Sequence, residues 1–93
     1  MNNEIAYALV DAELRRLRVL PYTELAAMVG TNENKEIVGN DGNTYQLEID
    51  VFWDNTKPGD VRVMAAVDDG GWRAFKPLTR DFIMRPDGTC VGE

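Results

Sequence analysis

Residues 44–53, TYQLEIDVFW, alternate apolar and polar side chains over ten positions. Successive side chains of an extended chain point to opposite faces, so Tyr45, Leu47, Ile49, Val51 and Trp53 share one face. Gln46, Glu48, Asp50 and Phe52 share the other. A helix would scatter both sets around its circumference, so the stretch reads as a strand with one face turned to a core. The device returns in VRVMAAV, where Val61, Val63, Ala65 and Val67 point inward. Asp-Gly pairs at 41–42, 69–70 and 87–88 punctuate this part of the chain. Asp-Gly between alternating runs signals a hairpin, because both residues tolerate positive φ. The looser DNTKPGD reads as a longer hairpin loop.

A sheet with one apolar face needs a covering layer, and the N-terminal third supplies it. Over residues 4–19 the period is 3.6: Ala6, Tyr7, Val10, Leu14 and Leu17 gather on one arc, with Glu4, Asp11, Arg15 and Arg18 opposite. Asp11 and Arg15, at i,i+4 with the acid first, suit a helical ion pair. Pro21 disfavours helical geometry at Leu20. A short helix follows through YTELAAMVG, with Leu25, Met28 and Val29 on one face and Gly30 as its cap. The expected architecture is α+β, one long and one short N-terminal helix packed on one face of a four- to five-stranded antiparallel meander. Ninety-three residues fit one domain, 1–93.

If Asp41-Gly42 and Asp69-Gly70 are two-residue loops, the register follows. Lys35 then faces Glu48, Ala66 faces Arg73, and Met64 faces Phe75. Across the DNTKPGD loop, Trp53 faces Val61, Phe52 faces Arg62 and Asp50 faces Met64. On the face away from the helices one row reads Lys35, Glu48, Ala66, Arg73, an alternation of sign that suits a solvated ladder. Beside it Phe52, Met64 and Phe75 form an apolar patch rimmed by Asp50, Arg62 and Arg73. Four readings of the patch stand open: a one-residue register slip, a homodimer interface, coverage by the C-terminal hairpin, or a binding surface with an apolar centre and a charged rim.

Ten basic residues against sixteen acidic ones give a net charge of -6, which repels phosphates and anionic lipid surfaces and argues against nucleic-acid and membrane partners. Residues 31–60 hold seven of the acids against two basic residues. That field either steers a basic partner or keeps a sheet face soluble. The apolar stretch near the start is interrupted by Asp11 and Glu13 and lacks a basic leader, which reads as neither signal peptide nor membrane span. A single cysteine agrees with a reducing compartment, and the expected location is the cytoplasm.

Catalytic and metal chemistry find little footing. Without histidine the usual general base, the commonest zinc ligand and every Ser-His or Cys-His pair are missing. Calcium-loop spacing fails, since Ile37, Ala65 and Ile83 stand where an aspartate is needed. Neither GNDGN nor DDGG matches a phosphate loop. Glu48, Asp50 and Asp54 share one strand face, yet an exposed face gives no desolvation to part their pKa values for acid–base work. Trp53 and Trp72 fall inward by alternation. In MRPDGTC, Pro86 and Gly88 suit a three-residue hairpin loop, which places Cys90 on the return strand as a packing side chain. The expectation is no enzyme, no metal and no cofactor.

The ending GGWRAFKPLTRDFIMRPDGTCVGE, with LPYTEL at residues 20–25, resembles small bacterial proteins that close on a W-R-A-F, D-F-I, P-D-G, V-G-E pattern. The resemblance implies a bacterial source and a self-contained domain, and carries over no catalytic or binding residue. Helices first and an antiparallel meander after is also similar in architecture to inhibitor and immunity-type folds. The expected role is a small protein-interaction domain using Phe52, Met64, Phe75, Glu48, Asp50, Arg62 and Arg73. The alternative is a homo-oligomeric structural or small-ligand-binding domain.

Overall fold

A computed structural model describes residues 2–69 and 77–91. Helix α1 spans Asn3–Arg18. Its start is set by Asn2, whose side-chain oxygen accepts the Ile5 backbone N–H at 3.1 Å and so satisfies one of the free donors of the first turn. Glu4 in the first turn and Arg15, Arg16 and Arg18 in the last complement the helix dipole. Pro21 caps helix α2, Tyr22–Ala27. Beyond it the Gly30 N–H donates to the Val51 carbonyl at 2.9 Å, tying the helix exit to the sheet.

Strands β1 (Asn32–Val38), β2 (Thr44–Trp53), β3 (Val61–Asp68), β4 (Leu78–Met84) and β5 (Cys90–Val91) form one antiparallel sheet in the order β1-β2-β3-β4-β5. The α+β class and the meander are those expected from periodicity. Along β3 buried and half-buried residues alternate without a break. Helix α1 lies over β3 and β4, and the buried face joins Ala6, Val10, Leu14 and Leu17 to Leu47, Ile49, Val51, Val63, Phe82 and Met84. Trp53 and Cys90 pack half-buried against this core, as alternation requires. Trp72 lies outside the described residues.

The β2–β3 register is the expected one, with Trp53 opposite Val61, Phe52 opposite Arg62 and Asp50 opposite Met64. Two other registers differ. Lys35 faces Leu47, and Asn34 faces Glu48. The Asp41-Gly42 hairpin is a three-residue loop: Gly39 N–H donates to the Asn43 carbonyl at 2.8 Å. Gly42 takes φ of 80° while no residue other than glycine has positive φ among those described. A two-residue type I′ loop needs positive φ at both positions, which Asp41 does not adopt. The Asp87-Gly88 loop repeats the three-residue geometry, with Gly88 at φ of 88°. On the other side of β3, Met64 faces Asp81 and Ala66 faces Thr79. Met64 and Ala66 thus have Asp81 and Thr79 as their β4 partners, while Phe75 and Arg73, expected opposite them, lie outside the described residues.

The slip on β1 moves Lys35 to the helix side of the sheet. There its ammonium lies 2.5 Å from Glu13 of α1, a carboxylate only 11% exposed that also pairs with Arg16 at 2.9 Å. Asp11, expected to pair with Arg15, is held by Arg80 of β4 at 3.0 Å. The Arg80 guanidinium sits 4.4 Å from the centre of the Tyr7 ring. Charged residues thus stitch helix to sheet on both sides of the apolar seam.

Candidate functional site

With one face of the sheet covered by helices, the other carries whatever the fold does not consume. Alternation and register place its side chains in rows across the strands. Phe52, Arg62, Ile83 and Val91 make one row, and Asp50, Met64 and Asp81 the next. Asn34, Glu48, Ala66 and Thr79 make a third, followed by Glu36, Gln46 and Asp68. Phe52 is 37% exposed, and Met64, Ala66 and Ile83 are half-buried.

Met64 has Phe52 and Ile83 as its diagonal neighbours on the flanking strands, at roughly 7–8 Å, within reach of aromatic and long side chains. Ile83 thus supplies the third apolar side chain expected from Phe75. Its signal was available in LTRDFIM, where Leu78, Arg80, Phe82 and Met84 alternate with Thr79, Asp81 and Ile83. Phe75 and Arg73 lie outside the described residues. The other five expected site residues, Glu48, Asp50, Phe52, Arg62 and Met64, share this face.

Polar contacts fix the rim. Arg62 donates to Asp54 at 2.8 Å and also to Asp81. These two bonds, that to Asp54 foremost, push the guanidinium pKa further up, and they occupy the one cation among the described residues of these rows. On the β1 side the Asn32 amide donates to Glu48 at 2.7 Å and to Asp50. Asn34 donates to Asn32 at 2.6 Å, and Gln46 to Glu36 at 2.9 Å. Glu48 and Asp50 are oriented by the neutral amide of Asn32. Asp54, grouped with them on sequence, is bound by Arg62 instead.

Elsewhere the surface offers less. A polar cleft of about 370 Å³ opens beside the β1–β2 turn, lined by Asn2, Asn43, Thr44, Tyr45 and Asp69. Its aromatic member is committed, because the Tyr45 hydroxyl donates to Asp41 at 2.7 Å. That bond lowers the Asp41 pKa and raises that of Tyr45. Among the described residues no group of three or more His, Cys, Asp or Glu side chains is placed to hold a metal ion. Nor is any described helix long and apolar enough to cross a membrane.

The described residues define a two-layer α+β architecture in which the sheet face opposite the helices has an apolar centre and an acidic rim. No protein-family model matches the chain, and no curated protein or solved structure is significantly similar to it.

Proposed function

We propose that this is a small, non-enzymatic, cytoplasmic protein-interaction domain of bacterial origin, inhibitor- or immunity-like in role, which docks a different protein on the outer face of its sheet. The observation that carries the reading is the placement of Phe52, Met64 and Ile83 on a face the helices do not cover, ringed by charge. An apolar centre within a polar rim is the anatomy of a docking surface. Met64 adds an unbranched side chain that adapts to a partner's contour.

Charge favours a foreign partner over a second copy. Among the described residues, the outer rows hold Glu36, Glu48, Asp50, Asp68 and Asp81 against Arg62. Two such faces stacked about 10 Å apart would oppose acid to acid, each pair costing about 0.4 kcal/mol in water before screening. The non-enzymatic part rests on the absence of histidine and on carboxylates bound to amides and to Arg62 rather than lining an enclosed pocket.

The test uses paired baits, the wild type and a Phe52→Lys/Met64→Lys double variant, with each captured protein purified and its affinity measured by calorimetry. The reading predicts a purified partner that binds the wild type and loses binding to a variant with unchanged circular dichroism. A partner that binds both equally refutes the outer face as the docking site. An unfolded double variant refutes it too, since these side chains would then belong to the core.

A further inference from the structure

The two edges of the sheet are built differently. At one side β5 is two residues long. At the other β1 runs for seven residues in unbroken register with β2, without proline or bulge. Sheets commonly blunt an edge with short strands, prolines, bulges or lysines, because its open N–H and C=O groups invite another chain. The lysine of β1 does not guard its edge, since the Lys35 ammonium is turned to Glu13 of the helix layer, 2.5 Å away.

Alternation shows which backbone groups are open. Gly39 N–H donates to the Asn43 carbonyl, and the Thr31 carbonyl accepts the Val51 N–H. Counting by twos between them, Glu33, Lys35 and Ile37 exchange hydrogen bonds with β2. The N–H and C=O groups of Asn32, Asn34, Glu36 and Val38 therefore point away from the sheet. No described backbone group meets them, and all four residues are exposed, Val38 by 68%. Donors and acceptors that recur every second residue, roughly 6.4–6.8 Å apart, match the backbone of another extended chain.

We propose that β1 takes up an extended segment of a partner protein as a further antiparallel strand, with a basic residue opposite Glu36 and apolar residues opposite Ile37 and Val38. This goes beyond the docking role given to Phe52 and Met64, because it uses the backbone of β1, and the two can fail separately. A second copy of the chain is the poorer match, because the antiparallel pairing that uses all seven residues sets the two Lys35 side chains opposite each other.

The experiment titrates isotope-labelled protein with the peptide acetyl-Val-Val-Arg-Thr-Asn-Thr-Asn-amide and follows backbone amide shifts and hydrogen exchange. In the free protein the amides of Asn32, Asn34, Glu36 and Val38 should exchange fast and those of Glu33, Lys35 and Ile37 slowly; with peptide the first set should become protected. N-methylation of Arg and the first Asn of the peptide, whose N–H groups would face β1, should weaken binding at least about tenfold. N-methylation of its two Thr, whose N–H groups would face away, should not. Asn34→Pro removes an N–H that points away from β2, a place where edge strands accept proline; it should weaken binding about tenfold with unchanged circular dichroism. Glu36→Gln should weaken it about two- to fivefold. Equal effects of the two N-methylation patterns, or no saturable shift along β1, overturn the proposal. Protection of the four open amides without peptide, rising with protein concentration, overturns it in favour of a second copy. Binding lost in Phe52→Lys/Met64→Lys but kept in Asn34→Pro overturns the edge and leaves the outer-face docking role standing.

Discussion

Among the described residues Glu13 is the most deeply set charged side chain, and replacing it tests how the helix is registered on the sheet. Its carboxylate is 11% exposed and pairs with Lys35, 35% exposed, and Arg16, 51% exposed. Breaking a fully buried pair costs about 3–5 kcal/mol, whereas exposed pairs contribute about 0.2–1 kcal/mol. A covered acid with two half-exposed partners falls between these limits. Glu13→Gln keeps the shape and removes the charge, and we expect a loss of about 2 kcal/mol, or about 8–16 °C in Tm for a domain of this size. Lys35→Met in the same background should cost less than it does alone, since no buried acid is left unpaired.

The same pair predicts a pH signature. Burial pushes the Glu13 carboxyl up, but hydrogen bonds from Lys35 and then Arg16 outweigh it, and the net shift is downward. A carboxyl lowered in the folded state binds fewer protons there than in the unfolded chain. Its contribution is present above the ordinary glutamate pKa and is lost as pH falls through the lowered folded value. Urea melts of wild type and Glu13→Gln across this range should converge towards acid. A gap that stays constant with pH, or a Tm within about 2 °C of wild type at neutral pH, would refute the reasoning.

Further outcomes are expected from the same contacts. A methyl added at Gly39 would meet Tyr45 Cε1 at 2.7 Å and Ile5 Cγ2 at 2.9 Å, so Gly39→Ala should lower stability by about 1–3 kcal/mol through overpacking, read by chemical denaturation. Leu17→Ala, at a fully buried site on the inner face of α1, should cost about 2–5 kcal/mol. Thiol labelling of Cys90, half-buried against the core, should be slow in native buffer and fast in denaturant; rapid native labelling would contradict its packing role.

How much of this was legible in the sequence depended on where the physics is local. Periodicity marked α1 and the faces of β2 and β3, and pairing Trp53 with Val61 across the DNTKPGD loop gave the β2–β3 register that the structure has. Loop chemistry decided the rest. Asp41 keeps a negative φ and uses its carboxylate to accept the Asn43 N–H at 3.1 Å and the Tyr45 hydroxyl, which favours three loop residues over two and slips β1 by one. That slip explains why the Glu13–Lys35 pair escaped notice. Glu13 stands four residues before Leu17 and three after Val10, inside the apolar arc, but no partner is visible for it until Lys35 turns inward. Ile83 was overlooked for a related reason: a tight loop assumed at Asp69-Gly70 assigned its place to Phe75. Strand β4 begins at Leu78.

The most direct test of a face built for a foreign partner is the solution mass of the protein by light scattering over a wide concentration range, at low and moderate salt. The account predicts a monomer throughout, with Phe52 and Met64 left free to meet another protein. A stable dimer that the Phe52→Lys/Met64→Lys variant abolishes would contradict it, because the outer face would then be spent on a second copy of the chain.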